Sequence, residues 1–221
     1  MIVYSLQTGS VFEEAIKYQP RSCFILTQLG GKLSPQLKAI RKKLKDELTA
    51  RNITEIDAHS LVTGRDFLDK IWRQIISVPM GIAILCKDMK ITTVANIFYE
   101  LSLLDSLGKE TLVIKAKDFE IPSDFVRTEY LPYGRGWASK LNQFFNNVFE
   151  QEKYYKTMAD LTDDPVLSID YLRRAFLISG NSEYLSDAKN HFEKNKKFIN
   201  RYNQFQIRNF LRSETTNNKL V

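Results

Sequence analysis

Cysteine is scarce in this chain: two residues in 221, Cys23 and Cys86. Both fall in apolar, β-rich runs, and no metal-ligand spacing accompanies them. Reduced, inert thiols are expected, and a disulfide or a metal pair is argued against. Histidine is as rare, with two residues. His59 follows the second apolar run with no partner in view, so it reads as a surface residue before an acid or base. No Ser-His-Asp set, no metal cluster and no Walker-type phosphate loop is present. No apolar run approaches the roughly 18 residues of a membrane span. Met1 to Gln19 carries acidic residues and no apolar stretch of signal-peptide kind. These absences point to a cytoplasmic protein with no membrane contact, no metal and no resident cofactor.

What is there is a core. Apolar residues make up 43% of the chain, too many for disorder. The length allows one α/β domain with a smaller appendage. Short apolar runs at Cys23–Thr27, Ile53–Ala58, Gly81–Cys86 and Thr111–Ile114 read as buried strands. Between them lie helical patterns. Ser34-Pro35 starts the first, with Leu37, Ile40, Leu44 and Leu48 as its inward stripe. Phe67 to Val78 is the second, stopped by Pro79. A strand at Ile2 to Tyr4, a helical turn at Phe12 to Tyr18 and a turn at Thr63 to Asp66 complete the pattern. Alternation of strand and helix predicts a parallel sheet with right-handed crossovers. From Gly136 the pattern is all helix: Trp137 to Leu161, then a helix capped by Asp164 and ended by Gly180, then a last one from Asn181-Ser182 that keeps Phe192, Ile199 and Phe210 inward. The expected division is an α/β domain over 1–135 and a helical region over 136–221.

The stretch NIFYELSLLDSLGKETLVI, Asn96 to Ile114, organises the site. Asn96 is expected to open a helix with Leu101, Leu104 and Leu107 inward, Gly108 to end it, and Lys109 to face the negative end of its dipole. That helix joins the third strand to the fourth. Ligands of such sheets sit at the carboxyl ends of the strands. The loop Lys87 to Ala95 and the start of this helix should wall the site, with Gln28, Gly30 and Gly31 across from them after the first strand. Glu100 is the carboxylate on that wall, and Asp88 lies on the loop before it.

The same stretch resembles the N-P-N-V-x-Y-E-L-G-x-A-x-A-L-G-K-x-V-I segment of the nucleoside 2-deoxyribosyltransferase-like proteins, which share a flavodoxin-like fold with Toll/interleukin-receptor (TIR) domains. Cys86-Lys87-Asp88-Met89 resembles their A-D-L-T strand end, and Ile121 to Phe125 and Glu129 to Tyr133 resemble their later I-P-F-D and Y-x-x-Y segments. The resemblance covers Ser22 to Tyr133. It implies that Glu100 is the catalytic carboxylate in cleavage of an N-glycosidic bond; by the two-carboxylate logic of glycosidases, Asp88 is expected to be the second carboxylate, positioning a ribose hydroxyl or a base. It further implies that Gln28, Gly30, Gly31, Asn96 and Tyr99 contact a nucleoside, nucleotide or NAD, which is substrate or ligand rather than cofactor. Ser102 stands where the family has Gly, Ala95 where it has Pro, and Met89-Lys90 where it has Leu-Thr. A side chain at 102 is expected to narrow the pocket. Many relatives of this fold act in bacterial anti-phage defence, which the resemblance alone implies.

Net charge is +6, unevenly spread. Lys38, Arg41, Lys42, Lys43, Lys45 and Arg51 crowd the first helix, and Lys189 to Arg212 holds seven cations against Glu193 alone. Basic faces attract phosphate-rich partners, though most are solvated surface. Three readings follow. The first is an N-glycosidic enzyme. The second is a nucleotide sensor that signals to a protein partner through the helical end. The third, ranked last, is a nucleic-acid binder using the basic end, which lacks aromatic interleaving on an obvious sheet platform and any helix-turn-helix pattern. An oligomer is expected.

Overall fold

In the computed structural model, residues 16–57, 67–116, 119–120 and 130–212 are described. The apolar runs form β1 (Ser22–Leu26), β2 (Thr54–Asp57), β3 (Met80–Leu85) and β4 (Glu110–Lys115), and a short β5 (Tyr130–Pro132) joins them. All neighbours pair in parallel, in the order β2-β1-β3-β4-β5. This is the flavodoxin-like order, whose ligand crevice lies between β1 and β3, where the winding reverses. Every residue of β1 and β3 is buried. Central strands covered on both faces read as unbroken apolar runs, which is why they were visible in the sequence. Cys23 and Cys86 are buried free thiols, and burial pushes the Cys23 thiol up.

The connecting helices are α1 (Pro35–Thr49), α2 (Phe67–Ser77) and α3 (Ile91–Ser106). Ser34 caps α1 by accepting from the Leu37 amide, and Leu37, Ile40, Leu44 and Leu48 are its buried stripe. The start of α3 corrects the sequence reading. The helix begins at Ile91, five residues before Asn96, so only 87–90 is loop. Ile91 to Val94 is a β-branched run of weak helix propensity. Packing against the sheet overrides that preference. Gly108, at φ +62°, follows α3 in the left-handed conformation expected of a terminating glycine. The Lys109 ammonium turns to the neighbouring helix instead. It donates to the carbonyl oxygens of Ile76, at 2.9 Å, and Val78, satisfying the end of α2. Gly81 lets α3 lie close on β3: a Cβ there would stand 2.3 Å from Leu104 Cδ1.

The helical end comprises α4 (Trp137–Leu161), α5 (Pro165–Ser179), α6 (Glu183–Asn195) and α7 (Arg201–Arg212). The long last helix expected from the sequence is broken by a 3-10 turn at Lys196–Phe198. Asn200 explains the restart: its side chain accepts from the Asn203 amide and begins α7. Asp164 caps α5 through the Val166 and Leu167 amides. At α6 the cap is Asn181, which takes the Glu183 amide, and not Ser182. Two apolar clusters share α4. Trp137, Leu141, Phe144, Phe145 and Val148 pack into the sheet's core, while Ala159 joins a second core with Leu172, Leu185, Phe192 and Phe210. Each such large side chain contributes about 1.5–3 kcal/mol by leaving water.

A polar seam fastens α5 to the end of α3. Asp170 is buried and takes Arg173 at 2.6 Å and Arg174 at 3.0 Å. Arg174 also donates to the carbonyls of Gly108 and Leu107. The expected strand at Ile2 to Tyr4, His59, the Thr63 to Asp66 turn and the Ile121 to Phe125 segment lie outside the described residues. The helical turn expected up to Tyr18 is not helical in its described part, 16–18. Among the described residues no helix is long and apolar enough to cross a membrane.

Candidate functional site

A cavity of about 180 Å³ opens between the carboxyl end of β1 and the first half of α3. Ile25, Leu26 and Thr27 reach it from β1 and its end, and Leu29 from the loop that follows. Thr93, Asn96, Ile97 and Glu100 reach it from α3. Those four positions follow the i, i+3, i+4, i+7 spacing, so they form one face of the helix. Three of the four are polar, an unusual face to turn toward a sheet. The apolar floor and the polar helix wall make a small two-sided site at the topological reversal.

Among the described residues, Glu100 is its only titratable lining residue. Among the described residues no hydrogen bond or ion pair reaches its carboxylate. Burial alone pushes its pKa from the ordinary 4.5 to about 7. Its place on α3 matters too. Glu100 lies nine residues beyond Ile91, about 13 Å along the helix. A helix dipole acts on side chains within its first turn. Glu100 is too deep for that role, so stabilising the helix start does not account for it. Thr27 ties the rim together: its hydroxyl donates to the Ile84 carbonyl at 3.4 Å, linking the ends of β1 and β3.

The residues expected from the sequence divide. Asn96 and Glu100 meet in the cavity, four residues apart on one face. Tyr99 does not line it; one position before Glu100, it points away and is 51% exposed. Asp88 is exposed on the loop after β3 and does not line it. Gln28, Gly30 and Gly31 belong to the right loop, but Leu29 is the residue that enters the cavity. Gln28 instead braces its own turn, donating to the Gly30 carbonyl at 2.8 Å. Ser102 overturns an expectation. It is exposed, and its hydroxyl donates to the Phe98 carbonyl at 2.8 Å, so it does not narrow the pocket. Sequence reasoning missed Thr27, Leu29 and Thr93. Counting back along α3 from Glu100 would have found Thr93, had the helix been started early enough.

Roomier hollows lie at the sheet's edges. One of about 560 Å³ sits beside β2 and one of about 280 Å³ beside β5. Neither is at the β1–β3 reversal. In the first, Arg41 already closes on Glu55 and Asp57, each at 3.0 Å. Among the described residues, no group of three or more His, Cys, Asp or Glu is placed to hold a metal ion. Comparison with family models, curated proteins and solved structures found no match.

Proposed function

We propose that this protein cleaves the N-glycosidic bond of a nucleoside, nucleotide or NAD, with Glu100 as the catalytic carboxylate. The observation that carries the reading is the Glu100 side chain: half-buried at the sheet's reversal, without a partner among the described residues, and shifted to about 7. A desolvated carboxylate is poorly stabilised on its own. It gains most when positive charge develops beside it. Breaking the C1′–N bond sends the bonding electrons to the base and leaves an oxocarbenium-like sugar. The carboxylate therefore stabilises the positively charged sugar of the transition state more than the uncharged sugar of the substrate, which is the requirement for catalysis. Water then adds at C1′ and releases a proton, giving free sugar and free base. Asn96, Thr93 and Thr27 supply polar groups for the sugar hydroxyls. The cavity, at about 180 Å³, is smaller than the roughly 300 Å³ that begins the range for drug-sized ligands. It suits a pentose, with base and phosphates at the rim. Asp88, exposed at the loop, serves the rim rather than the reacting carbon. The resemblance to nucleoside deoxyribosyltransferase-like and TIR proteins agrees with this chemistry. From it comes the wider proposal of an anti-phage effector in the cytoplasm.

The test is base release. Pure protein is mixed with NAD and with nucleosides, and free base is followed by chromatography. Glu100→Gln keeps the shape and removes the charge. Turnover should fall by roughly two orders of magnitude or more while ligand binding largely survives. The ionised form acts, so wild-type turnover should rise with pH through about 7. Equal turnover in the Gln variant would move the chemistry away from this cavity.

One observation favours a second reading, a nucleotide sensor that does not turn over. The helix that carries Glu100 is gripped at its far end by Arg174 of α5. A ligand that shifts α3 would thus bias the helical end directly, where a protein partner is expected. Tight nucleotide binding with no free base over long incubation would select this reading.

A further inference from the structure

The basic residues of the chain fall into two groups with different surroundings. Those on and just after α1 are answered in part: Lys38, Lys42 and Lys45 have no carboxylate partner among the described residues, but the helix carries no aromatic ring. Arg41 closes on Glu55 and Asp57, Arg51 on Glu47, and Lys43 lies over the Tyr133 ring. Those at the end of the chain stand among aromatic rings. Among the described residues, no carboxylate pairs with Lys197, Arg201 or Arg208, and Lys196 has only the exposed Glu193 at 3.8 Å.

These cations are also arranged. Arg201, Phe205, Arg208 and Arg212 are all exposed and follow one another at spacings of four, three and four, a single outward stripe along α7. The opposite face of α7 is used up: Ile207 and Phe210 are buried in the second core. Lys196 and Arg208 come from different elements yet both lie over the Phe192 ring, at 5.8 and 5.9 Å. The 3-10 turn then presents Phe198, 73% exposed, with the Lys197 ammonium 4.9 Å from its ring. Gln204 holds the turn against α7 by donating to the carbonyls of Lys196 and Ile199, each at 2.8 Å. The surface is therefore preorganised. Cations alternate with exposed aromatic rings, and both are held by a backbone corner.

We propose that the 3-10 turn and the outer face of α7 bind single-stranded nucleic acid, with Lys196, Lys197, Arg201 and Arg208 on phosphates and Phe198 and Phe205 under bases. Charge decides the class of partner: the face is cationic, and among the described residues no carboxylate pairs with Lys197, Arg201 or Arg208, so it fits a polyanion. The rings decide the form. Exposed rings between cations stack unpaired bases without regard to sequence. A bilayer would call for a continuous apolar face, and the apolar face of α7 is already in the core.

The probe is a fluorescent oligothymidine of about twenty nucleotides, titrated with the full chain at several salt concentrations. Affinity should fall steeply with salt. Arg201→Gln with Arg208→Gln removes two charges and should flatten the log–log salt slope by roughly 1.4. Phe198→Ala should weaken binding by roughly fivefold or more while leaving that slope unchanged. These side chains are exposed, and circular dichroism of the variants should match the wild type. No binding at the lowest salt, or equal binding by the double Gln variant, overturns the proposal. So does binding to phosphatidylserine vesicles without binding to the oligonucleotide. Base release at Glu100 is measured separately, so failure here leaves the glycosidic reading standing, and the reverse.

Discussion

Two carboxylates, both on helices and both withdrawn from water, have opposite fates in this molecule. Asp170, at the seam between α5 and the end of α3, has two guanidinium partners. Burial is the largest single influence and would raise its pKa, but the attractions of Arg173, then Arg174, together with their hydrogen bonding, hold it well below the usual carboxylate range. Glu100, at the mouth of the sheet, has no such partner among the described residues, and burial carries it up to about 7. The difference lies in what surrounds each group and not in its depth. A carboxylate that holds a fold together is matched by fixed cations. One kept without a match is destabilised until something positive arrives, and that is the condition a glycosidic transition state supplies.

The largest expected effect comes from breaking the matched one. Asp170→Asn leaves two arginines facing each other, with the Lys109 ammonium close by. Burial first, then Arg173 and Arg174, already hold that ammonium well below its ordinary pKa. Removing one partner of a buried charge set costs about 3–5 kcal/mol. The melting point should fall by on the order of 10 °C for a domain of this size. Thermal denaturation followed by circular dichroism measures it. The native pKa of Asp170 is depressed, so its contribution is complete above the unfolded carboxylate value of about 3.9 and is lost as pH falls below it. A loss under 1 kcal/mol would mean that the seam is surface decoration and that the comparison has only one side.

Next comes the opposite sign at the unmatched group. Its native pKa is raised, so the native state holds the proton more tightly than the unfolded chain. Stability should therefore drop as pH rises from 4.5 to about 7. Glu100→Gln should abolish that drop. The variant should be more stable than wild type by about 1–3 kcal/mol at pH 8, and equal to it below the unfolded value. Urea unfolding at two pH values reads this directly. A variant less stable at pH 8 would show that the Glu100 carboxylate has a stabilising partner, and the contrast with Asp170 would collapse.

How much of this contrast was legible in the sequence differs by element. β1, β3 and β4 announced themselves as apolar runs because both faces of the sheet are covered. β5 did not: Tyr130–Pro132 is three residues long, buried only at Leu131, and ends in proline. The start of α3 was hidden by β-branched Ile91 to Val94, and with it the depth of Glu100 in the helix. The break at Lys196–Phe198 was hidden because Phe192 and Ile199 keep a plausible inward rhythm across it. At the site, topology put Glu100 and Asn96 on the wall, and the family resemblance singled them out. Tyr99 and Asp88 were not excluded by it, since a one-residue step around a helix or along a loop decides whether a side chain enters. Asp170 was invisible as a seam, because its partners three and four residues on looked like ordinary surface pairs. Their burial comes from Tyr18, which Arg173 reaches, and from Leu107 and Gly108, which Arg174 reaches, far away in the chain.

The smallest effect concerns Ser102, the position where the resemblance to the deoxyribosyltransferase-like family is broken most sharply. Two residues beyond Glu100 is about 200° around the helix, which puts Ser102 on the far side of α3 from the cavity. It is exposed, and its hydroxyl is occupied by the Phe98 carbonyl. Ser102→Gly should therefore leave ligand affinity and turnover within about twofold, since no lining atom moves. Stability should fall by roughly 0.5 kcal/mol, the ordinary difference between serine and glycine in an exposed helix interior. Measuring both on one preparation separates two accounts of Glu100. Unchanged turnover with slightly lower stability keeps its isolation a property of the cavity wall, built from Thr27, Leu29 and Asn96. A tenfold rise in turnover would mean that serine at 102 tilts α3 and restrains the carboxylate from behind. The mouth would then be held by the helix's outer face as firmly as the seam is held by its arginines.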